Sequence, residues 1–454
     1  MRIKKLVAML LVVSMVFMSA GCSNGGSDST TEVEKNISES ISTEGSEDEP
    51  VSFTFAAHFA DLKESNAALY NIIDTFNRQH EGQIVVNYSG SADKSVHITA
   101  MKLAAESGSL PDVFFLPTTN AVEFYEAGYL YDMTDMIEQY GDLDEDTLNS
   151  LYESKDLQDN SIYGLPLTAL VTGFWYNKDV FDRYGVAYPD EGTTFDELLT
   201  MIDTFKANGV TTIINGAKTN YSVWAFLLAF ARYGFFEHDK AIAAGSDVWS
   251  NDDFIKYFEK IQQLQEAGAF AENNSVTDFF QAKELFLAGE AAMFDSGAWD
   301  SAVVSDALGE KAGFWWGPIF EDSNYNQQYL MQAPSVSVRV NAESVKEPEK
   351  LEAITEFMKF YMSPEADQIR VDNGTVPLTS VDVDASNVNA AFAKMLEALK
   401  IEGWISVPYQ ADANLSEVVQ EALYDSMFGV ICGIYTPEEA LEIMDEVQTR
   451  ALEE

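Results

Sequence analysis

The chain has 454 residues, 74 of them acidic against 27 basic, for a net charge of −47. Phosphate backbones and anionic lipid headgroups repel such a surface, which excludes nucleic-acid binding. A content of 46% hydrophobic and 12% aromatic residues excludes a disordered chain, and the length requires two or three packing units.

The first element is an address. Arg2, Lys4 and Lys5 form a basic start, followed by an apolar run over residues 6–18. That run is shorter than the roughly 20 residues a membrane span needs, and the pattern is that of a cleaved secretory signal. Ser19, Ala20 and Gly21 directly before Cys22 resemble the bacterial lipobox. The resemblance implies cleavage after residue 21 and a diacylglycerol on the Cys22 sulfur. Residues 22–50 are rich in Ser, Gly, Thr and Glu without apolar periodicity, and read as a flexible charged tether. The other cysteine, Cys432, sits in "FGVICGIY" and reads as a buried free thiol. Two cysteines make neither a disulfide framework nor a zinc site.

At Val51 the composition changes. "VSFTFAA" predicts a buried strand. Leu69, Ile72, Ile73 and Phe76 mark one helix face, which Gly82 ends. "IVVNY" (residues 84–88) is a second strand. A helix around Ile98, Met101 and Ala105 ends near Gly108, and "DVFFL" (residues 112–116) is a third strand. This alternation predicts an α/β fold with a parallel sheet and right-handed crossovers. Ligands of such sheets bind beyond the carboxyl ends of the strands, so the loops after Ala57, Tyr88 and Leu116 are the first places to look. Further on, Thr194 with Glu197 forms a capping box before Leu198, Met201, Ile202 and Phe205. "WAFLLAF" (residues 224–230) reads as a buried helix. Thr436, Pro437 and Glu439 open a last helix along Ala440, Ile443, Met444 and Val447.

Four longer strings then line up in order. They are "LPDVFFLPTTNAVEFYEAGYLYDMTDM" (110–136), "YGLPLTALVTGFWYNKDVFDRYGVAYPDEGTTFDEL" (163–198), "FLAGEAAMFDSGAW" (286–299) and "EPEKLEAITEFMKFYMSPEADQIRVDNGTVPL" (347–378). Together they resemble the extracellular solute-binding proteins of bacterial sugar importers, the group that includes maltose-binding protein. The resemblance implies the two-lobed periplasmic-binding-protein fold of type II, its lobes joined by a hinge of crossing strands. Residues 51–167 and 332–376 then form lobe 1, and residues 168–331 and 377–454 form lobe 2. Gly164 and Pro166 stand before one extended run, as a crossing strand needs, and "NGTVPLTS" around Gly374 and Pro377 reads as the return crossing. The resemblance further implies a monomer that captures a carbohydrate outside the cell, an oligosaccharide by preference, and hands it to the permease subunits of an ABC importer. No cofactor and no metal are expected. The chain would face outward on the cell membrane, touching it only through its lipid.

A sugar has an apolar face and a rim of hydroxyls, so its binder needs aromatic plates and fixed hydrogen-bonding groups. Trp299 follows Ser296, Gly297 and Ala298, small residues that let a ring approach a ligand. In the family the tryptophan of this Gly-x-Trp stacks on the sugar. The resemblance also offers Trp404 in "EGWISVPY" as a second plate and Tyr221 and Trp224 in "TNYSVW" as an aromatic pair, with core packing the alternative for Trp224. Tyr176 is a candidate from its strand. Of Trp315 and Trp316, one is expected in the core and one in the cleft, Trp316 being the candidate. For polar contacts, Thr118, Thr119 and Asn120 follow the third strand, and His58 and Asp61 follow the first. Turn and cap roles compete at each of these five.

Three rivals are weighed. A glycoside hydrolase needs two carboxylates across a bond, and 74 acidic residues make such pairs uninformative. No Gly-x-Ser-x-Gly, His-Glu-x-x-His or Walker loop is present, and His58, His80, His97 and His238 lack metal-ligand spacing. Residues 142–153 place acids at calcium-loop positions, but Thr147 stands where glycine is required. A peptide, polyamine or anion binder of the same fold remains. The candidate loops hold aromatics, amides and hydroxyls and no arginine, which favours a neutral polar ligand.

Overall fold

The structure is a computed structural model that describes residues 49–91, 93–138, 161–218, 222–378 and 383–453. Residues 49–454 form one compact unit. The predicted period-2 and period-3.6 segments appear where expected. Strand β1 (Val51–Ala57), β2 (Ile84–Gly90) and β3 (Val113–Phe115) pair in parallel with β1 in the middle. Helices Ala67–Gln79 and Lys94–Ser107 are the crossovers between them. Alternation along β1 sends Phe53, Phe55 and Ala57 to one face, where they meet Ile72, Phe76 and Phe357. Ala56 and Phe114 go to the other face, with Met101 and Phe124. Both faces are therefore covered by helices, as a parallel sheet requires.

Two strands complete this sheet from farther along the chain. Strand β4 (Leu165–Leu170) forms its edge, and a much later strand, Ala333–Val340, runs antiparallel between β3 and β4. Only Val171 separates β4 from β5 (Thr172–Asn177), which is a central strand of a second sheet. That sheet also contains β6 (Thr211–Ile214), β7 (Ala291–Gly297) and β8 (Ala312–Trp315), in the order β6-β7-β5-β8. After a short β9 (Tyr329–Leu330), the chain returns to the first sheet as β10, the strand Ala333–Val340. A last strand, β11 (Ile405–Ser406), pairs only with β9.

The second sheet also alternates between two cores. Phe174 and Tyr176 face a cluster with Phe205, Phe230, Phe258 and Met427. Trp175 faces the opposite cluster with Phe286, Phe294 and Met395. Helix Trp224–Ala231 is buried along Ala225 to Ala231, as its all-apolar sequence predicts. The two expected capping boxes form: Thr194 and Glu197 exchange hydrogen bonds at one helix start, and Thr436 and Glu439 do so at another. Helices Glu417–Ile431 and Pro437–Glu453 pack on helix Asp252–Ala267, so the end of the chain belongs to the second sheet's core.

One expectation is corrected. Residues 373–378 form no strand; β10 carries one return to the first sheet, and segment 373–378 follows helix Pro364–Asp372, which packs on helix Ala67–Gln79, and precedes helix Ala390–Ala398, which packs on β8. Segment 373–378 is instead held by a buried ion pair beside it. The Arg370 Nη1 lies 2.9 Å from Asp367 Oδ1, which also accepts the Leu378 backbone N–H at 2.8 Å. Arg370 Nη2 donates to the Tyr361 carbonyl, and the guanidinium lies 4.5 Å from the Tyr361 ring centre. A buried charge is tolerated when it is paired and hydrogen-bonded in this way.

Candidate ligand cleft

The carboxyl ends of β1 and β3 open onto a cleft, and the second sheet supplies the facing wall. A cavity of about 580 Å³ lies between His58 and Asn66 on the first side and Ala298, Trp299 and Ala302 on the second. A second cavity of about 260 Å³ lies between Thr118 and Thr119 on the first side and Tyr409, Gln410 and Asp412 on the second. Both are bordered by Lys94, Phe115, Leu170 and Ser335, so they are two ends of one cleft. Its floor is β4 and β10, the strands next to the passage between the sheets, with Gly374, Thr375 and Val376 beside them.

Trp299 stands out of a tightly held turn. At the end of β7 the Ala298 N–H donates to the Val171 carbonyl at 2.9 Å. Asp300, almost fully buried, accepts from Ser296 Oγ at 2.5 Å and pairs with Lys283 Nζ at 2.9 Å. The indole lies flush on Gly297, where a Cβ atom would come within 2.4 Å of it. Trp224 meets it edge-on, with ring centres 4.9 Å apart, and packs in turn on Phe279 at 5.6 Å. Trp299 itself remains 46% exposed and borders the larger cavity.

On the first wall, the His58 ring sits 4.2 Å from both Phe59 and Phe115, and its Nδ1 is buried without a hydrogen-bond partner among the described residues. Burial, and then the charges of His97 and Lys94, push its pKa down to about 4. His97, fully buried behind it, is held between Ser91 Oγ at 3.1 Å and the Phe115 carbonyl at 2.9 Å. Thr118 and Thr119 open the helix Thr118–Glu126 rather than lying in a loop. Arg339 of β10 holds this exit from β3 by donating Nε to the Leu116 carbonyl at 3.1 Å.

The opposite wall at this end is the segment Tyr409 to Asn414, which the sequence reading missed. Asp412 is buried and accepts from Tyr424 Oη, from Gln410 Nε2 at 2.6 Å and from Gln420 Nε2 at 3.3 Å. Burial raises its pKa against the pull of these donors. The Gln410 amide turns its nitrogen toward Asp412. The Tyr409 hydroxyl donates to Asp239. Lys94 faces this wall from across the cleft; burial lowers its pKa while Asp412 and Glu417 oppose that shift. The available signal was "VPYQADAN", an aromatic, amide and acid run immediately before a helix.

Several expected contacts lie elsewhere. Tyr176 is buried at the far end of β5 from the cleft, because the strand runs away from Thr172. Trp315 and Trp316 are both buried; their indole N–H groups donate to the Asp190 carbonyl at 2.9 Å and the Ala398 carbonyl at 3.0 Å. Neither reaches the cleft, which corrects the expectation for Trp316. Trp404 packs on the second sheet's core with the Arg232 guanidinium 5.5 Å from its ring centre. Asp61 caps helix Leu62–Ser65 by accepting the Glu64 N–H at 3.1 Å. Asn120 follows Thr119 in its helix without lining the cavity. Arg370 does line the larger cavity, contrary to the absence of arginine read from the loops, but its guanidinium is engaged by Asp367 and Tyr361. Cys432 is half-buried and free. Cys22, Tyr221 and residues 142–153 lie outside the described residues. Among the described residues, no group of three or more His, Cys, Asp or Glu side chains is placed to hold a metal ion.

A model of the bacterial extracellular solute-binding proteins matches residues 60–368. The chain is 32% identical over 152 residues to the multiple sugar-binding protein of Streptococcus mutans, covering 33% of each chain. It is 27% identical over 252 residues to an ABC transporter extracellular-binding protein of Pyrococcus horikoshii, covering 53% of this chain and 55% of that one. The matches thus span from a third to about half the length of these relatives. Among solved structures, a chitin oligosaccharide binding protein aligns with a TM-score of 0.71 at 21% identity, over 89% of this chain and 100% of that one. A family 1 extracellular solute-binding protein from Bifidobacterium longum subsp. infantis aligns with a TM-score of 0.68 at 19% identity, over 88% and 100%. The fold is the two-lobed α/β fold of type II periplasmic solute-binding proteins.

The His58 geometry has a pH consequence. Its pKa is about 4 folded against 6.5 unfolded, so the unfolded chain binds the extra proton between those values. The stability held by the neutral ring is full above pH 6.5 and is lost as the pH falls toward 4. The melting temperature of the parent should therefore drop more steeply over this window than that of His58→Asn. Parallel profiles for the two proteins would rule out the buried neutral imidazole.

Proposed function

Because the chain belongs to the bacterial extracellular solute-binding protein family, we propose that it captures a carbohydrate in the cleft and delivers it to the permease of an ABC importer. The observation that carries this reading is Trp299, an exposed indole on a buried support, facing a wall of hydroxyl, amide and imidazole groups across the cleft. Stacking buries one face of a sugar ring against the indole, and the opposite wall supplies partners for the hydroxyls. Two charged groups at the cleft are already engaged within the protein, and Lys94, whose pKa burial lowers, lines both cavities. Arg370 is paired with Asp367, and Asp412 already accepts three hydrogen bonds. A peptide or anion binder needs free charge for the ligand termini or the anion.

The family binds and releases its solute. The same is proposed here, with the sugar returned chemically unchanged. Among the described residues no helix is long and apolar enough to cross a membrane. Attachment is assigned to a lipid on Cys22, on the strength of the small residues before it and the basic and apolar segment ahead of them. Cys22→Ala should therefore move the protein from the membrane fraction to the medium or leave it unprocessed. A variant that sediments with membranes as the parent does rules the anchor out.

The sugar reading is tested by a thermal-shift screen against malto-, xylo- and chito-oligosaccharides and raffinose, followed by calorimetric titration of the best stabiliser. A sugar at a hundredfold excess over its dissociation constant should add about 2.7 kcal/mol of stability. Trp299→Ala should then bind it about thirtyfold more weakly or worse, which corresponds to roughly 2 kcal/mol for a stacked aromatic anchor. The apo melting temperature should stay near that of the parent, because nearly half of the indole is already in water. A variant that melts early yet binds with parental affinity makes Trp299 a packing residue and removes the main support for sugar capture.

A further inference from the structure

A second exposed ring stands near Trp299 on the second wall. Helix Phe279–Leu287 buries Phe279, Ala282 and Phe286 and leaves Phe280 63% exposed. Two separate routes connect Phe280 with the Trp299 turn. The first is a run of rings: Trp299 to Trp224 at 4.9 Å, Trp224 to Phe279 at 5.6 Å, and Phe279 to Phe280 at 5.5 Å. The second is Lys283. Its Nζ lies 5.1 Å from the Phe280 ring centre and 2.9 Å from the carboxylate of Asp300, the residue after Trp299. Phe280 is thus linked to the Trp299 turn beneath the surface through buried Phe279 and beside it through Lys283.

We propose that Phe280 is an outer subsite, a second stacking plate for the part of a sugar chain that leaves the cleft past Trp299. The ligand is then an oligosaccharide longer than the cleft itself holds. This rests on the sugar-binding reading above. An exposed phenyl ring gains by covering the apolar face of a pyranose, as the indole does. The Lys283 ammonium has three donors and spends one on Asp300, which leaves donors for a sugar hydroxyl beside the ring. A protein partner seated on Phe280 is the competing occupant. It differs in that sugar affinity would not depend on this residue at any chain length.

The test is calorimetric titration of malto-, xylo- and chito-oligosaccharides of increasing length with the parent, Phe280→Ala and Phe280→Trp. In the series the parent binds, affinity should rise with length. Phe280→Ala should weaken the longest member by about three- to tenfold, the loss expected for one exposed aromatic contact, and leave the shortest bound member unchanged. Phe280→Trp should restore the long-chain affinity. Equal loss at all lengths, no loss at any length, or a lowered apo melting temperature for Phe280→Ala overturns the outer subsite and leaves sugar binding in the cleft standing. A parent that binds none of these sugars sinks the sugar reading, and the subsite with it.

Discussion

One hydrogen bond ties the passage between the sheets to the binding face. Val171 is the single residue between the edge strand of the first sheet and a central strand of the second. Its carbonyl accepts the Ala298 N–H at 2.9 Å, at the root of the turn that presents Trp299. A residue where the backbone bends between the walls is thus fixed to the residue before Trp299, the proposed stacking plate. Gly297 adds to the constraint, because a side chain there would strike both the indole and the Val171 carbonyl. Rigid bodies moving about a few terminal residues are the expected form of closure in such a fold, and this geometry carries the plate with the bend.

The electrostatics of the cleft follow from the same economy of burial. Several charged groups close to it are engaged within the protein. Arg370 is paired with Asp367, Lys283 with Asp300, and Asp412 is surrounded by three donors. His58 is kept neutral first by burial, with His97 and Lys94 lowering its pKa further. The overall charge of −47 therefore does not set the chemistry of the site; it keeps the rest of the surface solvated and self-repelling. What the cleft offers a ligand is an exposed indole, hydroxyls, amides and an imidazole, with Lys94 along both cavities and Glu64 at the larger one.

Much of this was legible in the chain because local periodicity and the buried faces agree. The alternation of Phe53 and Phe55, the helix face of Leu69, Ile72, Ile73 and Phe76, and the capping pairs Thr194–Glu197 and Thr436–Glu439 all appear as read. That Trp299 would border a cleft followed from its small neighbours and from the family resemblance, and it lines the larger cavity. The failures have one cause, which is that strand register and tertiary packing decide where an aromatic ring points. Tyr176 and Trp175 are adjacent, yet face different cores, and neither faces the cleft. Trp316 and Trp404 pack where helices and a guanidinium cover them, which no local pattern announces. The wall of Tyr409, Gln410 and Asp412 was invisible because it becomes a site only when the end of the chain folds back across the cleft from Thr118 and Lys94.

Hydrogen exchange with and without the best-stabilising sugar tests the account most directly, because the claim is that one ligand bridges two walls. The account predicts slowed exchange at His58 and Phe59 and at Phe115 to Asn120 on the first wall. It predicts the same at Ala298 to Ala302 and Tyr409 to Asn414 on the second, with the outer helix Pro437–Glu453 unchanged. Protection confined to one wall, or found away from the cleft, would contradict it.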